Sequence, residues 1–223
     1  TMRKIYNILI VAAGLLMPLF AAAQSSELKV MSYNIRLATV KDGTNAWMYR
    51  CGATLEMIED QKPDVIGVQE ALAEQVRFVD EFADDYDYVG VGRTDGKSKG
   101  EHMAIYWNKK TVKMLKWGTF WLSETPDKPS RSWGMSMNRT ATWGLFEHIA
   151  TGQKFFFLNT HLPLKNDSLD DPEQAKKEGM KLIEAKLLEY YDDYPLYLTG
   201  DFNVISTDKV LDGVRRFMRN ARN

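Results

Sequence analysis

Asn34, Glu70, His161, Asp201 and Asn203 each stand at or just past the polar end of a short apolar run. Glu70 and Asp201 are hard oxygen donors of the kind that suits Mg²⁺ with several retained waters, and Asn34 is a neutral amide able to position or share such a cation. His161 can donate to an anionic phosphate oxygen or move a proton near neutral pH. Asn203 follows Asp201 by two residues, so in an extended segment both side chains point to one face and reach one group. Together these are the parts of metal-assisted phosphoester hydrolysis, in which a cation and hydrogen-bond donors offset the charge building on phosphorus while a carboxylate steers water. Singly, each has a plainer reading: a capping carboxylate, a hydrogen-bonded histidine, an Asp-Phe-Asn turn bonded to itself.

The elements that must position these groups follow from hydrophobic period. Leu28 to Ile35 and Asp64 to Glu70 read as strands, and Trp47, Met48, Cys51, Leu55 and Ile58 recur at helical spacing between them until Lys62-Pro63 stops the pattern. Strand, helix, strand is a parallel unit. Val76, Val79 and Phe82 mark a second helix, and residues 88–91, 103–107 and 112–122 read as three more strands. Residues 123–137, rich in Pro, Ser and charge, form a surface excursion that frames a cleft. Residues 140–149 and 154–160 then flank a Thr151-Gly152-Gln153 turn, and a helix beginning at Pro172 carries an apolar stripe of Met180, Ile183, Leu187, Leu188 and Tyr191. Lys176, Lys177, Lys181 and Lys186 fall on its polar side. A further strand at 196–199 leads into Gly200-Asp201-Phe202-Asn203. In α/β sheets the crevice beyond strand ends is where ligands bind.

The 223 residues hold 29 basic and 30 acidic side chains, which excludes a protein that grips nucleic acid chiefly through phosphate charge. The single cysteine, Cys51, excludes an internal disulfide framework and a cysteine zinc cluster, and is expected as a small buried apolar residue. His148, beside the turn, is expected at the surface. Met2-Arg3-Lys4, an apolar run over residues 8–20 and Ala21-Ala22-Ala23-Gln24 read as an export signal over residues 1–24, the run being too short to cross a bilayer, which takes about 20 residues. Its removal takes Arg3, Lys4 and no acid, leaving residues 25–223 as one domain with a formal charge of −3. The expected location is periplasmic or secreted, with no stable membrane span after cleavage, and the expected state is monomeric.

Met31-Ser32-Tyr33-Asn34-Ile35-Arg36, Ile66-Gly67-Val68-Gln69-Glu70, Asn159-Thr160-His161-Leu162 and Thr199-Gly200-Asp201-Phe202-Asn203 occur in that order, and the chain resembles the endonuclease/exonuclease/phosphatase family. Trp121-Leu122-Ser123-Glu124-Thr125-Pro126 and Arg139-Thr140-Ala141-Thr142-Trp143 look like exported bacterial members. The resemblance implies a four-layer α/β sandwich, two packed mixed β-sheets flanked by helices. It implies that Glu70 binds a divalent metal, Mg²⁺ or Mn²⁺, with Asn34 in the same cluster. Asp201 would orient or deprotonate the nucleophilic water, Asn203 would hold the scissile phosphate, and His161 would bond a nonbridging oxygen. Glu101 falls where relatives keep a carboxylate that orients this histidine, and Arg36 and Arg139 match arginines found near phosphates.

The family's closing Ser-Asp-His motif and its last strands have no counterpart after Asn203, so the sequence reads as a truncated member, with a frameshifted gene or a degenerate remnant as the alternatives, and the 223-residue form is expected to be nearly inactive. The expected function is divalent-metal-dependent hydrolysis of a phosphoester in a phosphorylated small molecule, a lipid headgroup or a nucleic acid. The alternative is a noncatalytic member that binds a phosphorylated ligand.

Overall fold

The computed structural model describes residues 27–164 and 172–221, and the export-signal reading of residues 1–24 lies outside them. β1 (Val30–Asn34), a 3-10 segment (Val40–Asn45), α1 (Trp47–Gln61) and β2 (Val65–Gln69) form the predicted parallel unit, with Asn34 opposite Gln69. α1 stops where Lys62 turns left-handed at φ 46°, ahead of Pro63, which disfavours helix in the residue before it. α2 (Ala73–Phe82), β3 (Tyr86–Val89) and β4 (Ile105–Asn108) complete a mixed sheet of order β1-β2-β4-β3. The second sheet runs in sequence order. β5 (Val112–Trp121), β6 (Thr140–His148) and β7 (Lys154–His161) pair antiparallel, and α3 (Pro172–Leu188) then crosses over so that β8 (Leu196–Asp201) lies parallel to β7 with Asp201 opposite His161. A 3-10 turn (Lys209–Leu211) and a single turn of helix, α4 (Asp212–Arg215), follow.

The sheets pack face to face, β2 against β7 and β8, and β1 against β8. Period-two alternation sorts their side chains into layers. Val65 of β2 and Phe155 and Phe157 of β7 point between the sheets and pack with Ile105, Trp107 and Phe146. Ile66 and Val68 point the other way, under Ile58 of α1 and Val76 and Val79 of α2. Phe156 and Leu158 lie beneath Met180, Ile183 and Leu187 of α3. All five residues of β2 are buried, as expected of a strand covered on both faces. The result is helices, sheet, sheet, helix.

Four sequence expectations are corrected here. The α3 stripe ends at Leu187: Leu188 is half exposed, and Tyr191, beyond the helix end, is equally exposed with its ring edge-on to Phe217 at 5.4 Å. Lys176 is not on a solvated face. It is buried, and its Nζ donates to Glu173 Oε1 (3.3 Å) and to the carbonyl of Asn203 (3.5 Å). His148 is also buried, its Nδ1 paired with Thr151 Oγ1 at 3.0 Å, because the residue that ends β6 is covered by its own turn. Cys51 is half-buried with its Sγ directed at the Met48 carbonyl, since its helical position lies at the margin of the face that α1 buries.

Close to the site the interlayer becomes polar. Asn159 of β7 donates to the carbonyls of Val68 (2.8 Å) and Ala104 (3.1 Å) in the opposite sheet, and its Oδ1 accepts from Gln69 Nε2 (2.7 Å) and Thr199 Oγ1 (3.2 Å). Such a network is stabilising only when every member is satisfied, and here the partners are at hand. Room for it comes from Gly67, where a Cβ would fall 2.1 Å from Thr199 Oγ1 and 2.7 Å from Asn159 Oδ1. Gly67→Ala is therefore expected to destabilise the fold by about 1–3 kcal/mol through overpacking. Denaturant melting of Gly67→Ala and of Gly67→Ala/Thr199→Ala checks this: the second substitution should restore part of the loss, and equal stability of Gly67→Ala and the parent would refute the close approach.

Candidate active site

Two parallel pairs decide where the polar strand ends go. β1 and β2 finish at the same edge of one sheet, β7 and β8 at the same edge of the other, and the face-to-face packing of β1 on β8 and β2 on β7 brings these edges together. Asn34, Glu70, His161 and Asp201 thereby meet, although Asn34 and Asp201 are 167 residues apart.

Asn34 is at the centre. Its Nδ2 donates to Glu70 Oε1 (2.9 Å) and to Asp201 Oδ2 (3.0 Å), so one amide group spans carboxylates from two sheets. Its Oδ1 accepts from the backbone N–H of Arg36 (2.9 Å), which fixes which end of the amide faces the acids. Glu70 Oε2 accepts in turn from the N–H of Leu37 (3.1 Å). Gln75, wholly buried near the start of α2, holds the segment after β1: its Oε1 accepts from the N–H groups of Ala38 (2.8 Å) and Leu72 (3.1 Å) and its Nε2 donates to the Arg36 carbonyl (2.9 Å).

Backbone strain collects at the same place. Among the described residues five non-glycine residues have positive φ, and three of them are Arg36 (58°), Glu70 (64°) and Asn203 (50°). The left-handed region costs L-residues of this kind about 1–2 kcal/mol, and it persists where surrounding bonds over-determine it. Asn203 therefore does not extend β8, as its spacing from Asp201 suggested. β8 ends, the chain turns, and the Asn203 N–H bonds Asp201 Oδ1 at 3.1 Å. The turn and the convergence coexist, for the side chain of Asn203 swings onto His161.

That contact defines the histidine. Asn203 Nδ2 donates to the Leu162 carbonyl (2.8 Å), which identifies it as the amide nitrogen, and its other hydrogen faces His161 Nε2 at 3.0 Å. Nε2 is thus the acceptor and the ring proton sits on Nδ1, directed toward Glu101 Oε2 at 3.9 Å, beyond hydrogen-bond length. His161 is 4% exposed, and burial, with the nearby Arg139 cation next in weight, pulls its pKa down to about 4 against the opposing pull of Asp201 and Glu70. The ring is neutral at pH 7. Its Nε2 lies 4.0 Å from Asp201 Oδ2.

Of the other sequence candidates, Glu101 is buried and forms an ion pair with Arg93 at 2.8 Å. Arg139 is buried at the start of β6, within electrostatic reach of His161. Arg36 is exposed, forked onto Asp42 (3.0 and 2.9 Å), with one nitrogen 4.0 Å from Glu70 Oε2. Sequence reasoning missed Arg93, Asp42 and Gln75. None sits on an apolar period or in a strand-end motif, so no local signal marked them.

The donor set fits a hard divalent cation. Ligand atoms of Glu70, His161 and Asp201 all lie within 4.8 Å of one another, and the carboxylates of Glu70 and Asp201 share only the neutral amide of Asn34 between them.

A scan against protein-family profiles finds no match. Among curated proteins the chain is 27% identical over 172 residues to the uncharacterized protein L388 of Acanthamoeba polyphaga mimivirus, covering 74% of this chain and 61% of that protein. It thus spans less than two thirds of that relative's length. Among solved structures it is similar to the mannosyl-6-phosphatase Bt3783 of Bacteroides thetaiotaomicron, with 37% identity and a TM-score of 0.77 over 84% of this chain and 69% of that one. A similar likeness holds for the endonuclease/exonuclease/phosphatase of Bacteroides vulgatus, at 32% identity and a TM-score of 0.76 over 85% of this chain and 70% of that one. With two sheets paired in this order, polar groups converging from four strand ends, and more than 30% identity across two thirds of solved members, the chain belongs to the endonuclease/exonuclease/phosphatase family.

Proposed function

We propose that this protein is a divalent-metal-dependent hydrolase of phosphoester bonds, and that its substrate is a small phosphorylated molecule. The observation that carries the reading is the pair of carboxylates, Glu70 and Asp201, held on one Asn34 amide beside a buried neutral histidine. Glu70 would hold the cation, Mg²⁺ or in its place Mn²⁺, next to Asn34 and across from Asp201. When bound, the cation offsets charge on the phosphoryl oxygens.

The remaining work falls to side chains. Asp201 accepts a hydrogen bond, and then the proton, from the water that attacks phosphorus, while the ester P–O bond breaks and the leaving alkoxide takes a proton from solvent. Asn203, anchored on the Leu162 carbonyl, gives its second amide hydrogen to a phosphoryl oxygen when His161 Nε2 takes up a proton and no longer accepts it. His161 donates to that group once Nε2 carries a proton, a change favoured by an anionic ligand and by Glu101 behind Nδ1. Arg93 keeps the Glu101 carboxylate in place, and Arg139 supplies buried positive charge on the same side. Arg36 stands at the mouth on Asp42 rather than inside the cluster.

The near balance of charge favours a small ester over a nucleic acid backbone, and the likeness to the mannosyl-6-phosphatase Bt3783 of Bacteroides thetaiotaomicron supports a phosphomonoester. The amino-terminal pattern of residues 2–24 supports export to the periplasm or medium, and no helix among the described residues is long and apolar enough to cross a membrane. We take the protein to act as a monomer.

Two measurements check this reading. Glu70→Ala is expected to abolish Mg²⁺-dependent turnover and to remove the rise in melting temperature that Mg²⁺ gives the parent protein, with little change in melting without metal. Unchanged turnover together with an unchanged Mg²⁺ response would refute the cation assignment. His161→Ala is expected to lower kcat about 10²–10⁴-fold, whereas His148→Ala, which removes a buried bond to Thr151, should lower the melting temperature and leave kcat close to the parent value. Equal losses of kcat in the two variants would count against the role given to His161.

A further inference from the structure

By the alternation of β2, Glu70 should not point into the site. Val65 and Gln69 face the opposite sheet, while Ile66 and Val68 face α1 and α2, so an unbroken strand would send the Glu70 side chain under the helices. It instead meets Asn34, beside Asp201 of the other sheet. The pairing of β2 with the chain ahead of β4 explains the turn. Gly67 stands opposite Ile105 and the Val68 N–H bonds the Ala104 carbonyl at 2.8 Å, in register, but the next pair is Ala71 opposite His102. Gln69 and Glu70 therefore face the single residue Met103. This is a β-bulge, a device that re-aims a side chain, and Glu70 takes its φ of 64° within it. Ala71 then fills the place in the helix-side layer that alternation reserved for Glu70.

His102 closes the bulge from behind. Its N–H donates to the Ala71 carbonyl at 2.7 Å, and its ring Nδ1 meets the same oxygen at 3.3 Å. A carbonyl only accepts, which places the ring proton on Nδ1. The ring is buried, and burial keeps its pKa below the ordinary histidine value against the opposing pull of the Ala71, Lys97 and Gly100 backbone. It is a neutral donor that none of the hydrolytic steps uses. The loop after β3 covers it: His102 also pairs with Gly92, and the loop folds back through bonds from the Gly92 N–H to the Lys97 carbonyl (2.9 Å) and from the Thr94 N–H to the Lys99 carbonyl (3.0 Å). Glu101 and His102 are neighbours in extended chain, so their side chains diverge. Glu101 looks toward His161 at 3.9 Å, and His102 holds the carbonyl that follows Glu70 by one residue.

We propose that His102 is a positioning residue of the cation site, whose ring holds the Ala71 carbonyl and so fixes the bulge that turns Glu70 from the helix layer toward Asp201. This rests on the reading of Glu70 as a ligand of the cation. Asn34 and the Leu37 N–H grip the two carboxylate oxygens in front, and His102 grips the backbone behind them. A left-handed glutamate persists only where its surroundings over-determine it. Loss of the ring bond lets that backbone relax, and the carboxylate no longer waits where the cation needs it.

The test uses Mg²⁺ alone as the probe, read as the concentration giving half of the full rise in melting temperature and as the concentration giving half-maximal hydrolysis of p-nitrophenyl phosphate. His102→Ala is expected to raise both about 10- to 100-fold, the usual result of removing a bond that orients a metal ligand. Asparagine places its amide nitrogen where histidine has Nδ1, and glutamine where histidine has Nε2. His102→Asn should therefore return both concentrations close to the parent values, and His102→Gln should not. Equal Mg²⁺ concentrations for His102→Asn and His102→Gln would overturn the proposal, as would a lower metal-free melting temperature in all variants with unchanged Mg²⁺ concentrations. The ring nitrogen resonances of His102 in the parent protein need no substitution, and a proton found on Nε2 would overturn the proposal even if no variant folds. A parent protein that Mg²⁺ neither stabilises nor activates would refute the cation reading and this proposal with it. A Mg²⁺ response in melting that follows the donor at residue 102, without hydrolysis of the ester, would uphold the proposal and count against the hydrolase alone.

Discussion

One amide holds two sheets' worth of charge in place. The Nδ2 of Asn34 lies between Glu70 and Asp201, and without a positive partner two carboxylates this close repel one another. The neutral NH₂ group relieves part of that repulsion and leaves the rest for a cation. The strained backbones of Arg36 and Glu70 follow from it. Arg36 must present its N–H to Asn34 Oδ1, and Glu70 must fold back so that one oxygen meets Asn34 and the other the N–H of Leu37. Strain of this kind is held by its surroundings, and Gln75 supplies three of the bonds that hold it.

Behind the site lies the Asn159 network, and it explains how two sheets that share no strand keep a fixed registry. Apolar packing between Val65, Phe155 and Phe157 is strong but tolerant of small slips. Hydrogen bonds from Asn159 to two carbonyls of the facing sheet, and from Gln69 back to Asn159, have fixed lengths and directions. Gln69 precedes Glu70 and Asn159 precedes His161 by two residues, so the network locks the strands that deliver both groups. Gly67 belongs to the same arrangement, since any side chain there would push the layers apart.

The histidine side is built differently, from burial and charge rather than from a bridge. His161 is kept neutral by its surroundings, Asn203 fixes its tautomer from one side, and the ion pair of Glu101 with Arg93 stands behind the other. Lys176 supports this half from below through the Asn203 carbonyl. A lysine placed on a polar helix face by its period thus becomes part of the support for a left-handed asparagine, because the turn after β8 covers that stretch of α3.

The amino-acid sequence by itself determined which groups are present and at which strand ends they stand. Apolar runs of strand length, a helical period between them and polar residues at their close are local facts, and the parallel unit through α1 follows from them. The structure places Asn34, His161 and Asp201 as the last residues of β1, β7 and β8, and Glu70 directly after β2. Only the tertiary structure decided what those groups touch. That Asn34 turns its nitrogen toward two acids, that Asn203 is left-handed, that Arg93 faces Glu101, and that His148 and Lys176 are covered depend on how β1 lies over β8 and how loops return across the sheet edges. Such contacts join residues far apart in the chain, and no period of two or 3.6 carries information about them. The roles of Gln75 and Asp42 were invisible for the same reason: each is defined by a partner on another element, and a hydrogen bond leaves no mark in the pattern of apolar residues.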